Sequence, residues 1–86
     1  MAYNIVYKNS VLRDLKKLSK VEAGRILDQI EKELSKNADL YPALKGQFSG
    51  LRKYRVGDYR VIYAILQGDV LILRIGHRRD VYRKEI

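Results

Sequence analysis

Three short runs rich in apolar and aromatic residues, separated by only a few turn-forming residues, dominate the second half of the sequence. The runs span residues 51–56, 59–66 and 70–75. Residues 57–58 (GD) and 67–69 (QGD) separate them and have the composition of tight turns. Strands joined by such short connections pair with their sequence neighbours in antiparallel fashion. The sequence therefore predicts a three-stranded antiparallel meander over this half of the chain.

The first half begins with one more strand and then changes to helical periodicity. Residues 3–7 are β-branched and aromatic with a loose alternation, which is typical of a strand. Asn9 or Ser10 can cap the helix that follows. Its apolar positions recur at helical spacing up to residue 18 and are Val11, Leu12, Leu15 and Leu18. Because basic residues occupy the opposite side, the pattern predicts a short amphipathic helix.

A second helix is predicted to begin at Ser19. Ser19 and Glu22 form the S-x-x-E arrangement, in which the Ser side chain accepts the third backbone N–H and the Glu reaches back. The apolar stripe that follows consists of Ala23, Ile26, Leu27, Ile30 and Leu34. Asn37 and Pro42 are expected to close the helical region. The tight junction predicts that the two helices pack as an antiparallel hairpin facing a common sheet.

This order of elements predicts an α+β fold, β-αα-βββ, with the two-helix hairpin packed on one face of a mainly antiparallel four-stranded sheet. Residues 1–86 leave room for a single domain. The charged tail from residue 79 to residue 86 is expected to be a short additional helix or a frayed end.

Charge points to a polyanionic partner. The chain has 18 Lys and Arg against 10 Asp and Glu, a formal net charge of +8. Residues 1–44 carry eight basic and six acidic side chains, whereas residues 45–86 carry ten and four. A basic surface of this kind favours nucleic acid over a neutral small molecule, and it should belong mainly to the second half.

Other kinds of site are disfavoured by composition. The sequence has no Cys and a single His, so we expect no disulfide framework, no metal site and no cofactor. The start, MAYNIVYKNS, lacks the basic and apolar regions of a secretory leader. No apolar run approaches the roughly 18 residues that a membrane span needs. We therefore expect a cytoplasmic protein that does not enter a membrane.

A candidate active site emerges from the ends of the predicted strands. Alternation places Lys53 and Arg55 on one face of their strand, and the meander brings later residues beside them. The candidate residues at this end of the sheet are Lys53, Arg55, Arg60, His77, Arg78 and Tyr82. Such a set suits RNA cleavage, in which the ribose 2′-hydroxyl attacks the adjacent phosphate. That reaction needs a base, cations for the charge on the phosphorane, and an acid.

Each of these residue types also has an ordinary structural interpretation. Taken singly, Arg52, Arg74 and Arg83 are expected to be no more than solvated surface charges. A lone His is more often a structural hydrogen-bonding group than a catalyst. Tyr82 can stack on a base, transfer a proton or pin the tail to the sheet. The strand tyrosines are expected to be core or rim aromatics and are Tyr54, Tyr59 and Tyr63.

Three blocks in the second half carry a resemblance to a known family. They are residues 44–46 (LKG), 51–63 (LRKYRVGDYRVIY) and 75–82 (IGHRRDVY). In order and spacing they resemble the RelE superfamily of toxin–antitoxin systems, and the preceding strand and two helices match as well. The resemblance implies a RelE-like fold, a cognate antitoxin that masks the basic surface, and an endoribonuclease that cuts messenger RNA in the ribosomal A site without a metal ion.

The resemblance also implies roles for individual residues. Lys53 matches the proposed general base, and Arg55 stands where the best-known member has a second Lys. Arg60 and Arg78 match phosphate-stabilising arginines, and Tyr82 matches a tyrosine that orients or stacks on the substrate. His77 is a possible additional site residue, at a position that holds Lys or His in other members. The residues expected to contact RNA or the ribosome are Lys45, Arg52 and Arg79.

Three classes of function remain open from the sequence. The superfamily includes ParE-like proteins, which share the fold but poison DNA gyrase and lack much of the ribonuclease residue set. A non-catalytic nucleic-acid-binding module would need only the basic groove. Fold alone does not decide function, so the choice among these classes depends on the site residues. The joint presence of Lys53, Arg60, Arg78 and Tyr82 favours the ribonuclease.

Overall fold

The computed structural model of the chain describes residues 3–46 and 49–77. In chain order the strands and helices are β1 (Asn4–Tyr7), α1 (Asn9–Lys16), α2 (Lys20–Gln29), β2 (Arg52–Val56), β3 (Tyr59–Leu66) and β4 (Asp69–His77). The predicted order of one strand, two helices and three strands is confirmed, and the bounds of the strands and the starts of the helices agree within one or two residues. The predicted tail element at residues 79–86 lies outside the described residues. No helix in the described ranges is long and apolar enough to cross a bilayer.

The four strands form one sheet in the order β1-β4-β3-β2. Strands β2, β3 and β4 form the predicted antiparallel meander, and β1 pairs with β4 in parallel. The sheet is therefore mainly antiparallel, as expected. Strand β2 lies at its edge, which leaves the basic residues of that strand beside the loop that precedes it.

Helix α2 begins as its sequence predicts and then continues in an unexpected form. The Ser19 side chain accepts a 3.1 Å hydrogen bond from the backbone N–H of Glu22, which confirms the predicted N-cap. After α2 the chain forms a π-helical segment at Ile30–Leu34, a short α-helical segment at Ser35–Asn37 and a 3-10 turn at Ala38–Leu40. The helical region thus reaches almost to Pro42.

The π-helical segment keeps one apolar stripe directed at the sheet. Ile26, Ile30, Leu34 and Ala38 are all fully buried and lie four residues apart. In an α-helix with 3.6 residues per turn, a strict four-residue spacing drifts around the axis. The longer i→i+5 hydrogen bonds of a π turn accommodate more residues per turn and reduce that drift. The widened turn therefore lets all four side chains reach the same core.

The hydrophobic core lies between the helical region and one face of the sheet. Its buried strand residues are Val56, Val61, Tyr63, Val70, Ile72 and Ile75. Tyr63 is fully buried and donates a 2.6 Å hydrogen bond to the carbonyl of Ala38, while Tyr54 and Tyr59 pack against the core from its margin. The prediction that these tyrosines are core or rim aromatics is confirmed. Ile62 is also fully buried, but alternation places it on the opposite face of the sheet.

Helix α1 lies beside the part of β4 that extends beyond the end of β1. Strand β1 pairs with β4 only as far as Ile72. Beyond that point Ser10 Oγ donates to the carbonyl of Leu73 at 2.8 Å, and Asp14 Oδ2 accepts from the backbone N–H of Ile75 at 3.0 Å. Side chains of α1 thus satisfy backbone groups of β4 that would otherwise lack a strand partner.

Three sequence predictions on α1 and β4 are wrong. Helix α1 already begins at Asn9, and its N-cap is Lys8 with no side-chain capping bond, so Asn9 and Ser10 lie within the helix and do not cap it. Leu12, assigned to the apolar stripe, is 53% exposed, and the buried positions of the helix are Val11 and Asp14. Arg74, interpreted as a solvated surface charge, has a side chain only 14% exposed and donates to both carboxylate oxygens of Asp14 at 3.0 and 3.3 Å. The cause is the buried carboxylate, which needs a cationic partner when it is removed from water.

Candidate active site

The β2–β3 hairpin brings three predicted site residues together. Arg55 lies directly opposite Arg60, and Lys53 lies opposite Ile62. All three cationic side chains project from the face of the sheet opposite the helices, because alternate strand residues share a face. Like charges placed opposite each other on a sheet cost stability, so this arrangement conflicts with folding and is typical of a functional surface.

The three cationic side chains line a small cavity, called the cation cavity below. It has a volume of about 260 Å³ and is lined by Tyr41, Pro42, Lys53, Tyr54, Arg55 and Arg60. Arg55 is exposed, whereas Lys53 and Arg60 are half-buried, and the Nε atom of Arg60 is inaccessible to solvent. The cavity therefore combines three cations with an apolar wall to which Tyr41, Pro42 and Tyr54 contribute.

The sequence does not predict that Tyr41 and Pro42 contribute to this wall. The residue before a proline favours an extended backbone, and Tyr41 has φ −90° and ψ 152°. The chain consequently leaves the helical region and runs beside β2, where Lys53 N donates to the carbonyl of Pro42 at 3.3 Å and Ala43 bridges to Arg52. A Tyr-Pro dipeptide in a loop shows no periodic pattern that would predict its position. Its position beside the cavity follows only from the contacts between this loop and β2.

Hydrogen bonds and a ring contact fix the orientation of Tyr41. Its hydroxyl donates to Glu33 Oε1 at 2.6 Å, and the same oxygen accepts from Asn37 Nδ2 at 3.0 Å. Its ring meets Tyr54 edge to face, with centroids 4.8 Å apart and planes at 61°. Burial and then the Glu33 carboxylate raise the pKa of Tyr41, so its hydroxyl stays protonated at neutral pH. The hydrogen bonds from Tyr41 and Asn37 lower the pKa of Glu33.

Glu33 should make the stability of the domain depend on pH in the acid range. A carboxyl whose pKa is lower in the folded state stabilises the fold above its unfolded pKa, and this contribution is lost as pH falls through the folded value. We expect wild-type stability to decrease as pH falls below the ordinary value of 4.5. The Glu33→Gln variant should be less stable at pH 7 and less sensitive to pH in this window, as measured by urea unfolding from pH 7 to pH 3.

A double-mutant cycle with Tyr41→Phe provides the control. The effect of Glu33→Gln should shrink when Tyr41 no longer donates its hydroxyl, because the two side chains act through one hydrogen bond. An equal effect of Glu33→Gln in both backgrounds would show that the hydrogen bond does not contribute to the pH dependence.

Tyr54 also lines a second cavity. It has a volume of about 340 Å³ and is lined by Arg25, Gln29, Tyr54, Arg55, Val56 and Gly57. Arg25 NH2 lies 3.0 Å from where a Cβ on Gly57 would stand, and Gly57 has φ +59°. A side chain at this turn would therefore be strained and would press on the guanidinium of Arg25. Arg55 lines both cavities.

The other predicted site residues lie apart from the cation cavity or outside the described ranges. His77 pairs with Tyr59, and their rings meet edge to face at 5.9 Å. The register places His77 on the side of the sheet opposite the Arg60 side chain. Gly76 lies opposite Arg60 and contributes no side chain to that face. Arg78, Arg79 and Tyr82 lie outside the described residues.

The two remaining basic residues with predicted RNA contacts precede or begin β2. Lys45 is exposed in the loop before the strand. Arg52 donates from NH1 to the carbonyls of Tyr41 at 2.7 Å and Asp39 at 3.3 Å, so its guanidinium ties that loop to the strand. In residues 3–46 and 49–77, no group of three or more His, Cys, Asp or Glu side chains is placed to hold a metal ion.

Comparison with known proteins relates this geometry to a family. Residues 5–82 match the family described as ParE toxin of type II toxin–antitoxin system, parDE. The chain belongs to this toxin family. It is therefore a toxin of a type II toxin–antitoxin system, within the RelE/ParE superfamily that its sequence blocks predict.

Individual relatives of the toxin support the same assignment. Toxin RelG of Mycobacterium tuberculosis is 30% identical over 87 residues, covering 98% of this chain and 100% of the relative. Toxin RelE of the same organism is 33% identical over 84 residues, covering 94% and 87%. The toxin–antitoxin complex RelBE2, also from M. tuberculosis, contains a chain with a TM-score of 0.84 and 28% identity, covering 93% of this toxin and 95% of that chain. The predicted RelE-like fold is confirmed.

Proposed function

We propose that this toxin is a ribosome-dependent endoribonuclease that cuts messenger RNA in the A site and so inhibits translation. The observation that carries the proposal is the cavity lined by Lys53, Arg55 and Arg60, whose side chains project from the face of the sheet opposite the hydrophobic core. The similarity to relatives named Toxin RelE and Toxin RelG supports it, because the RelE resemblance of the sequence implies a ribonuclease.

The proposed reaction is an internal transesterification. Lys53 takes the proton of the ribose 2′-hydroxyl, the 2′-oxygen bonds to phosphorus, and the bond from phosphorus to the 5′-oxygen breaks. The products are a 2′,3′-cyclic phosphate and a 5′-hydroxyl, with a proton supplied to the leaving oxygen. Arg55 and Arg60 stabilise the charge that builds on the phosphorane, since a guanidinium stays charged and presents a planar fork of donors. By resemblance, Arg78 and Tyr82 complete the site.

Two macromolecular partners follow from the proposal. The relative of known structure is part of a toxin–antitoxin complex, so we infer that a cognate antitoxin binds this toxin in the cytoplasm and masks its basic surface. The ribosome with its messenger RNA is the target. The net charge of +8 provides attraction to ribosomal RNA, and binding should therefore weaken steeply as salt is raised.

Induced expression with a message-wide map of 5′ ends tests the ribonuclease. We expect cuts within translated codons for the wild type and none for Arg60→Ala. Arg13→Ala is the matched control, because Arg13 is an exposed arginine of α1 that lines neither cavity. Growth arrest without cuts in the wild type would contradict the proposal.

Gyrase inhibition is the second candidate, and the match to the ParE toxin family favours it. The fold is compatible with both activities, so the functional site must distinguish them. A supercoiling assay with purified gyrase tests this candidate directly. Unchanged supercoiling in the presence of the toxin would remove it, whereas inhibition together with an absence of RNA cuts would replace the ribonuclease proposal.

A further inference from the structure

The apolar wall of the cation cavity has no part in the proposed chemistry. Transesterification needs a base, cations and an acid, but the wall formed by Tyr41, Pro42 and Tyr54 supplies none of these at the reacting phosphate. The wall nevertheless borders the same space as Lys53 and Arg60. A ligand that fills this cavity therefore meets both cationic side chains and an apolar surface.

A nucleotide can contact both, through its phosphate and its base. We propose that Tyr41 and Pro42 form a nucleobase subsite, in which the base of an RNA nucleotide stacks on the Tyr41 ring while its phosphate lies against the cations of β2 and β3. This inference rests on the proposed function and extends it by naming a substrate contact. An aromatic face accepts any base, so the subsite positions the strand without selecting a sequence.

The wall is rigidly attached to the strand that carries the cations. Pro42 accepts a hydrogen bond from the backbone of Lys53, and Arg52 holds the carbonyl of Tyr41 at 2.7 Å. A base stacked on Tyr41 is thus placed in fixed relation to Lys53. Positioning of this kind assists a reaction because the reacting groups are held near their attack geometry.

The Tyr41 ring is also fixed before any ligand arrives. Glu33 anchors its hydroxyl at one end, and Tyr54 contacts it edge to face. Tyr54 is itself held by Gln29, which accepts from its hydroxyl at 3.3 Å. A ring that is already ordered loses little side-chain entropy when a base stacks on it.

The Tyr41 hydroxyl is committed to this structural role. It donates to Glu33, and the pKa of Tyr41 is raised, so the group does not serve as a proton acceptor at neutral pH. The contribution of Tyr41 to RNA binding therefore comes from its ring. Tyr7 offers a matched comparison, since its hydroxyl donates to Glu31 at the same distance of 2.6 Å but it lines neither cavity.

The test compares binding of two short RNA strands to the purified toxin. One is a trinucleotide with a 2′-deoxy sugar at the scissile position, which blocks cleavage, and the other has the same backbone without bases. Tyr41→Leu should weaken binding of the base-containing strand by roughly fivefold or more and leave the abasic strand within about twofold. Tyr41→Phe should bind both strands nearly as the wild type does, and Tyr7→Leu should change neither.

The binding results either support or overturn the nucleobase subsite. Equal loss for both strands in Tyr41→Leu, or no loss for either, would overturn the subsite. If Tyr41→Leu does not fold, photo-crosslinking of the wild type to a trinucleotide containing 5-iodouridine should mark Tyr41, and crosslinks only at other tyrosines would overturn it. Cuts in translated messages without base-dependent binding reject the subsite alone, whereas base-dependent binding without cuts rejects the ribonuclease alone.

Discussion

Asp14→Ala should destabilise the toxin by roughly 3–5 kcal/mol, which is the cost of leaving one member of a buried ion pair without its partner. Asp14 is 7% exposed and makes two contacts to Arg74 and one to the backbone of Ile75. The variant would leave a largely buried guanidinium and a buried N–H without their acceptor. Because domains of this size have roughly 5–15 kcal/mol of stability, a large share would be lost.

Urea unfolding of three variants tests this expectation. Asp14→Asn retains an oxygen that can accept from Ile75 N–H and should lose less than Asp14→Ala. Asp28→Ala is the control, because Asp28 pairs with Lys32 at 3.1 Å on the surface, where it is 57% exposed. Surface pairs contribute about 0–1 kcal/mol. A loss for Asp14→Ala no larger than that for Asp28→Ala would show that the ion pair does not hold α1 against β4.

The same ion pair determines which arginine can serve as a control for variants of the candidate active site. The sequence predicts Arg74 to be an ordinary surface charge, which would make it a suitable control for Arg60→Ala. An Arg74→Ala variant would leave Asp14 without its cation and would lower activity through unfolding. Arg13, exposed on α1, is the better control because its removal breaks no buried contact.

Local patterns in the sequence predicted the elements well because each element has local causes. The turn at residues 57–58 and the Ser19 cap follow from the conformational and hydrogen-bonding preferences of a few adjacent residues. Strand alternation likewise predicted that Lys53 and Arg55 share a face. Their meeting with Arg60 required only the hairpin between β2 and β3.

The features that the sequence did not reveal depend on contacts between distant residues. Asp14 looks like a polar interruption of an amphipathic helix until Arg74 lies beside it, sixty residues later in the chain. Tyr41 similarly becomes a cavity wall only because Glu33 holds its hydroxyl and the loop returns to β2. Hydrophobic periodicity records which residues face a core, but it does not record which polar side chains meet across the fold.

Lys53→Ala should reduce the rate of RNA cleavage by roughly 100-fold to 10,000-fold if the proposed general base is removed. Lys53 is half-buried, and it lies on the same face of the hairpin as Arg55 and Arg60. Single-turnover cleavage on ribosomes programmed with a defined message measures the effect. Lys16→Ala is the control, because Lys16 is an exposed lysine at the end of α1 and lines neither cavity.

A third variant, Lys53→Arg, separates proton transfer from charge. An arginine keeps the positive charge but stays protonated, so it does not accept the 2′-hydroxyl proton. If Lys53 acts as the base, Lys53→Arg should be nearly as slow as Lys53→Ala. If Lys53→Arg keeps most of the wild-type rate, Lys53 stabilises charge on the phosphorane. The proton must then go to another group.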